Sequence, residues 1–208
     1  ANALIQTGVY KNILLVGTEM TSNFNNWDDR NTCVLFGDGS GAVVLTQSED
    51  KDENASKLID SILASDSSKK DSLILPAGGA KAPVREDILK ENGQWMSMDG
   101  QTVFKNAVKT MSSHASSLLK RNNLTIDDID WFIPHQANLR IIEATGNLIN
   151  CPPEKVIVNV EKYANTSSAS IPVALQEAVA DGRIKRGQLI LMTAFGAGLT
   201  SAGVLIRY

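Results

Sequence analysis

The chain has 208 residues, 43% of them hydrophobic, which is enough to bury the core of about one domain. Its net charge of −3 argues against a general nucleic-acid-binding protein. No apolar run approaches the length of a membrane-spanning helix, so we expect a soluble, cytoplasmic protein without a membrane partner. The two cysteines, Cys33 and Cys151, fit free thiols in a reducing compartment better than a disulfide.

Residues 1–8 have the pattern of the last turns of an amphipathic helix without a capping residue, which predicts that the chain is part of a longer protein. Residues 12–17 (NILLVG) form a continuous apolar run, as expected of a strand buried on both faces. The polar stretch 19–31 predicts a loop. Short β-type runs follow at 33–36 and 42–45. The glycines between them predict a turn joining two strands, because a phosphate-binding loop would need a helix after it.

Between residues 47 and 100 the periodicity weakens, and we interpret this region as a surface excursion that can contribute walls to a pocket. It contains a charge-rich turn at 49–53, a predicted strand at 58–64 and a loop at 76–83. Apolar spacing then predicts a helix over residues 103–119, with His114 as a surface or boundary residue beside its apolar face.

The rest of the chain alternates helices with β-type runs, which favours parallel strands joined by helical crossovers. The predicted strands are residues 131–133, 156–160, 188–194 and 203–207, and the predicted helices are residues 139–149 and 170–180.

The first apolar strand with its glycine segment has the same pattern as the last two strands, which favours a duplicated α/β unit. Residues 1–46 are then the end of the first half, 47–100 a connecting excursion and 101–208 the second half.

Two polar stretches follow predicted strands. DWFIPHQANLR ends an apolar run at His135, and YANTSS places Asn165 after another such run. Open α/β sheets place their chemistry at the carboxyl ends of their strands. We therefore expect His135 and Asn165 to form one site.

The segments PHQANLRI, YANTSSASIP, CVLFGDGSGAVVL, MDGQTVFKNAV and AFGAGLTSAG together resemble the 3-oxoacyl-acyl carrier protein synthase III family of the thiolase-like superfamily. The resemblance runs through nearly the whole chain. It implies a duplicated thiolase-like fold with α-β-α-β-α layers, of which this chain holds the end of the first half and the complete second half. The family's nucleophilic cysteine precedes the helix that leads into residues 12–17, so the resemblance places it outside this sequence. Cys33 and Cys151 are interpreted as structural.

The resemblance implies an acyltransferase that starts fatty acid synthesis. An acyl-CoA primer, acetyl-CoA above all, acylates the thiol, and malonyl-acyl carrier protein then loses CO2 and condenses with the acyl group. The enolate formed on loss of CO2 needs hydrogen-bond donors at its oxygen, which suits an imidazole N–H of His135 and the amide of Asn165. No cofactor or metal is implied, because coenzyme A enters as a substrate thioester.

The remaining implied roles form four groups. The oxyanion loop is Gly196, Ala197 and Gly198, where Ala197 replaces a usual glycine and reduces the backbone freedom. The residues implied to bind coenzyme A are Arg30, Gly100, Phe104, Ala137 and Asn138. Arg140, with Lys105 or Lys109, is implied to contact the carrier protein, and the acyl pocket includes Phe36 and Met96. The family expectation is a homodimer that acts on acyl-CoA and an acyl carrier protein.

Two alternatives stay open. One is a related acyltransferase of secondary metabolism with the same fold and no carrier protein. The other is a fragment that is inactive without the chain segment bearing the nucleophilic cysteine.

Overall fold

The computed structural model describes residues 1–48 and 56–208, so the turn expected at 49–53 lies outside the described residues. The strands are β1 Asn12–Met20, β2 Asp38–Thr46, β3 Lys57–Ser65, β4 Leu73–Ile74, β5 Ser97–Met98, β6 Trp131–Pro134, β7 Leu189–Gly196 and β8 Thr200–Arg207. The α-helices are α1 Asn2–Gln6, α2 Glu86–Lys90, α3 Gly100–Arg121, α4 Leu139–Leu148, α5 Val160–Tyr163 and α6 Ser170–Ala180. No described helix has both the length and the apolar character needed to cross a membrane.

The largest described sheet has the strand order β3-β8-β7-β6. Strand β6 pairs with β7 in parallel, and the chain between them contains α4, α5 and α6. Strand β8 pairs antiparallel with both β7 and β3. The predicted α/β arrangement with a helical crossover is confirmed.

Helices cover both faces of this sheet. On one face, α3 packs Ala115 and Leu118 into a fully buried cluster with Phe132 of β6 and Leu191 of β7. The other face of β6 and β7 is buried against Ala174 and Ala178 of α6. Central parallel strands are apolar on both faces for this reason, and their carboxyl ends lie at one edge between the two helical layers.

Strands β1 and β2 form a separate antiparallel pair that packs against the chain between residues 167 and 180. β1 is longer than predicted and extends to Met20, and its outward face is exposed at Leu14 and Val16 rather than buried. The expected glycine turn is also wrong, because Gly39 and Gly41 lie inside β2. The preceding residues 33–36 form turns that end in a single bridge at residue 36.

These glycines let the two-stranded sheet approach α6 and the loop before it. A Cβ added at Gly41 would lie 2.8 Å from the Cβ of Pro172, and one added at Gly17 would lie 2.6 Å from the backbone oxygen of Ser168. Real Cβ atoms do not approach other heavy atoms this closely, so the glycines serve close packing here, as they do where two backbones meet.

The strand expected at residues 156–160 is reduced to one bridge between Val156 and Phe132, and α5 begins at Val160. The side chain of Gln136 explains the interruption. It accepts a hydrogen bond from the backbone N–H of Asn159 and donates one to the oxygen of Ile157, so these groups are bonded to a side chain instead of a strand. The short helix α2 was not predicted.

We expect Gly17→Ala to lower the free energy of unfolding by about 1–3 kcal/mol, because the new methyl group would collide with the backbone of Ser168 and displace it. Urea denaturation measures the change. Gly79→Ala is the matched control, since a Cβ at Gly79 would have nothing within 4 Å. Equal stabilities of the two variants would contradict the close-packing role.

Candidate active site

A cavity of about 240 Å³ lies where the carboxyl ends of β6 and β7 meet α3 and the loop around Asn165. Among the predicted site residues it is lined by His135, Asn165, Gly196, Ala197, Ala137, Asn138, Phe36 and Met96. His135 and Asn165, which we expected to form one site, thus both line the same cavity. Most other lining side chains are apolar, so charge inside the cavity is weakly screened.

His135 follows β6 directly and is held by backbone and side-chain hydrogen bonds. Its backbone N–H donates to the oxygen of Thr193 on β7 over 2.8 Å. The neighbouring Gln136 is 1% exposed and donates to Pro134 and to Ile157 while accepting from Asn159. The amide of Gln136 therefore has partners for both hydrogens and for its oxygen, which fixes the end of the strand.

The imidazole of His135 is buried, and burial lowers its pKa from 6.5 to about 4 because the charged form loses hydration. The ring is therefore neutral at pH 7. Its Nδ1 lies 2.7 Å from the Oγ of Ser170. In the part of the chain that the structure describes, Nε2 has no hydrogen-bond partner, so it remains available to a ligand in the cavity.

The backbone of Asn165 forms a bridge with Phe36, through hydrogen bonds from its N–H to Leu35 and from the N–H of Gly37 to its oxygen, both 2.9 Å. Its side-chain Oδ1 accepts from the N–H of Ser167 over 2.9 Å. A backbone N–H can only donate, so this contact identifies the amide oxygen and leaves the NH2 group to face elsewhere. Asn165 thus lies on the cavity wall with its amide oxygen already bonded to Ser167, and its NH2 group is the donor that remains.

The loop around Asn165 is conformationally strained. Ala164 has φ 57° and ψ −162°, a region that is essentially restricted to glycine, and Ser167 has φ 48°. Contacts on both sides hold the loop in place, since Ala164 donates to the oxygen of Val160 and the N–H of Ser168 donates to Glu19. The strain is therefore sustained by the surrounding fold.

At the end of β7, Gly196 and the following Ala197 line the cavity, whereas Gly198 does not. The left-handed backbone falls at Gly198 (φ 68°) and Leu199 (φ 50°), and Ala197 is not among the residues with positive φ. The Cβ of Ala197 therefore occupies a position whose backbone conformation does not require glycine.

The other predicted contacts do not line the cavity. They are Arg30, Gly100, Phe104, Arg140 and Gly198. Phe104 packs instead against the apolar cluster that contains Met111 and Phe195, and Arg140 is exposed in the first turn of α4.

Neither cysteine lines the cavity. Cys151 is buried in the core beside α3, and burial raises the pKa of its thiol to about 11, which disfavours a thiolate. Cys33 is partly exposed and free. The surface or boundary position expected for His114 is wrong. That residue is buried, and its Nε2 lies 2.9 Å from the Oγ of Ser201.

Several lining residues were missed by sequence reasoning: Thr21, Phe24, Leu73, Met98, Met111 and Phe195. They come from segments far apart in the chain, and all of them except Thr21 are apolar and look like ordinary core residues in the sequence. Met98 had the nearest usable signal, because it is the first residue of the MDGQTVFKNAV segment. Among the described residues, no cluster of His, Cys, Asp and Glu could hold a metal ion.

We expect Ala164→Gly to raise the free energy of unfolding by about 1 kcal/mol. Relief of about 1–3 kcal/mol of backbone strain exceeds the entropy that glycine adds to the unfolded chain. Thermal and urea denaturation measure the effect. Ala180→Gly, at the exposed end of α6, is the control and should destabilise instead. Two losses of similar size would show that Ala164 is unstrained.

Burial of His135 also predicts a pH dependence. The unfolded chain protonates this histidine below pH 6.5, whereas the folded chain does so only near pH 4, so the unfolded state binds more protons in between. Stability should fall by about 2–3 kcal/mol from pH 7 to pH 4.5 through this group. His135→Gln should lack that component in urea titrations at the two pH values. An unchanged pH dependence in the variant would contradict a neutral buried imidazole.

Two family models match the chain. Residues 119–208 match 3-oxoacyl-[acyl-carrier-protein] synthase III C terminal, and residues 1–67 match 3-oxoacyl-[acyl-carrier-protein] synthase III. Curated relatives named beta-ketoacyl-[acyl-carrier-protein] synthase III include those of Roseiflexus sp. strain RS-1 and Campylobacter fetus subsp. fetus strain 82-40, which are 45% and 44% identical over the whole chain. The chain spans 62% of the length of each of these relatives.

Solved structures give the same result. The 3-oxoacyl-[acyl-carrier-protein] synthase III of Aquifex aeolicus VF5 is 42% identical with a TM-score of 0.85, over 99% of this chain and 61% of that one. The enzyme of Pseudomonas aeruginosa PAO1 is 36% identical with a TM-score of 0.88, over 99% and 62%. The priming beta-ketosynthase of the R1128 polyketide pathway is 32% identical with a TM-score of 0.83, over 98% and 59%. The expected thiolase-like fold is thereby confirmed, and the chain belongs to the 3-oxoacyl-[acyl-carrier-protein] synthase III family.

Proposed function

We propose that the protein is a decarboxylative condensing enzyme that joins an acyl-CoA primer, acetyl-CoA above all, to malonyl-acyl carrier protein. The observation that supports this most directly is the cavity that both His135, which is neutral at pH 7, and the amide of Asn165 line. Similarity to synthase III enzymes along the whole chain supports the reaction class.

The two donors suit the difficult step of this reaction. Loss of CO2 from a malonyl thioester leaves the bonding electrons on the α-carbon, and the enolate form places negative charge on the thioester oxygen. His135 and Asn165 would donate to that oxygen in a cavity whose walls are mostly apolar, where such hydrogen bonds are stronger than in water. Neither group is anionic, so neither repels the developing charge.

The acyl group to be extended must first be held on a nucleophile. Cys151 is buried with a raised pKa and Cys33 does not line the cavity, so we assign the nucleophile to a cysteine outside these 208 residues. Its thiolate displaces coenzyme A and forms a thioester, and the enolate carbon then attacks the thioester carbonyl and releases the thiolate. No resident cofactor or metal takes part in this scheme.

Backbone N–H groups of the glycine loop would stabilise the oxyanion of that attack. Gly196 and Ala197 line the cavity beside the donor pair, and Gly198 shapes the turn behind them. Phe36 and Met96 would contact the acyl chain, while Ala137 and Asn138 would line the path of the pantetheine arm. Gly100 would also lie along the pantetheine path, Phe104 would lie beside the entry to the site, and Arg30 would lie near the adenine end of coenzyme A.

We assign the acyl carrier protein to the surface near Arg140. This side chain is exposed at the start of α4, and Lys105 and Lys109 are exposed on α3, the helix that packs beside it. Cations grouped near the cavity suit an acidic carrier that must deliver a thioester. The proposed complete enzyme is a homodimer, and the described chain would need the segment with the nucleophile to be active.

One alternative is a related acyltransferase that has the same fold but does not use an acyl carrier protein. The similarity to the priming beta-ketosynthase of a polyketide pathway supports a related acyltransferase of secondary metabolism. A panel of acyl-CoA primers, each combined with malonyl-acyl carrier protein or malonyl-CoA, separates the two. A preference for acetyl-CoA with the carrier-bound donor supports fatty acid initiation.

In the full-length protein, His135→Ala and Asn165→Ala should each lower the rate of malonyl decarboxylation about 100-fold or more, because each removes one donor from the enolate oxygen. Acyl transfer from coenzyme A to the thiol should change much less. Release of CO2 from labelled malonyl thioester and mass spectrometry of the acylated protein measure the two steps.

Asn147→Ala is the control, since Asn147 is exposed on α4 and does not line the cavity. It should retain the parent rates in both assays. Decarboxylation at the parent rate in the His135 and Asn165 variants would refute the proposed donor pair.

A further inference from the structure

A buried serine lies behind the imidazole of His135, on the side away from its unpartnered Nε2. Ser170 is the first residue of α6 and is 2% exposed. Its Oγ lies 2.7 Å from Nδ1 of His135 and 3.3 Å from the backbone nitrogen of Gln136. This hydroxyl therefore contacts both the ring and the backbone that supports it.

The direction of these hydrogen bonds follows from the inventory of hydrogens. A backbone N–H can only donate, so the Ser170 oxygen accepts from Gln136. The hydroxyl has one hydrogen to donate. Within the described part of the chain, the contact of Oγ that can accept this hydrogen is Nδ1 of His135. Leaving that hydrogen unpaired in a buried site would cost about 1–3 kcal/mol. The hydroxyl therefore donates to Nδ1.

The tautomer of the ring follows from this direction. A neutral imidazole carries one hydrogen, and a nitrogen that accepts a hydrogen bond does not carry it. With Nδ1 as the acceptor, the hydrogen is on Nε2. The N-terminus of α6 has a positive partial charge beside Nδ1, which also disfavours a proton there.

We propose that Ser170 is a positioning residue that holds His135 in its Nε2–H tautomer, so that the ring offers the cavity a donor rather than a lone pair. Its effect on decarboxylation rests on the function proposed above. The tautomer itself does not, because it depends only on the contacts among His135, Ser170 and Gln136.

The location of Ser170 gives this contact a fixed geometry. Helix α6 packs on β6 through Ala174 and Ala178, which lie in one buried cluster with Ile133 of that strand. The serine and the histidine are thus attached to two elements that share a core. Precise placement of a supporting hydroxyl requires such rigid elements.

The test is nitrogen-15 NMR of histidine-labelled full-length protein at pH 7, with the His135 signals identified by their loss in His135→Gln. In the parent, Nε2 should show the shift of a protonated nitrogen and Nδ1 that of an unprotonated one. In Ser170→Ala the two shifts should move towards each other as the Nδ1–H form becomes populated. Ser112→Ala is the control, because Ser112 is another buried helix serine, and its hydroxyl donates to Val108 instead.

Kinetics adds a second readout. Ser170→Ala should lower kcat for malonyl decarboxylation about tenfold, equivalent to about 1.4 kcal/mol, with KM within about twofold of the parent. Ser170→Cys, which keeps a weak donor, should fall between the two. A parent with the proton on Nδ1, or tautomer shifts unchanged in Ser170→Ala, would overturn the proposal. If the shifts move as expected but His135→Ala still decarboxylates normally, the tautomer assignment stands and the proposed function fails.

Discussion

The site depends on the buried amide of Gln136. Its three hydrogen bonds join the end of β6 to residues 157–159, which begin the path to the loop of Asn165. His135 and Asn165 lie in the same crossover between β6 and β7, one before α4 and the other after α5, and nothing in their local sequences brings them together. Every polar atom of this amide is paired, so its burial is compensated. A separate backbone hydrogen bond, from the N–H of His135 to the oxygen of Thr193, joins His135 to β7.

Burial of the site away from water also sets the protonation state of His135. The burial that stabilises the layers around β6 also removes the charge from His135. A neutral ring can donate from one nitrogen only, so its usefulness depends on which nitrogen holds the hydrogen. The packing of α6 on β6 thus influences which ring nitrogen of His135 carries the hydrogen, as well as the position of the ring. The fold therefore acts on the site through the hydroxyl of Ser170 and the N-terminus of α6.

The α/β fold and the nearness of His135 and Asn165 to one cavity could be predicted from the sequence because strong local signals mark both. Apolar runs identify strands, and a histidine or asparagine directly after such a run is conspicuous. Gln136 and Ser170 had no comparable signal, since the partners of Gln136 lie 21 and 23 residues away and Ser170 looks like an ordinary first residue of a helix. The glycines of β2 were misplaced because the chain that packs on them is more than 100 residues later. Long-range packing decided each of these cases.

The strained loop at Ala164 has a consequence for how this region can vary. The backbone of Asn165 forms a hydrogen-bonded bridge with Phe36. Three residues further along the loop, the N–H of Ser168 donates to the carboxylate of Glu19. Substitutions within this span leave both attachments in place. A single inserted or deleted residue would break the register of at least one attachment and rotate the amide away from the cavity. Length, more than composition, is what this loop must preserve.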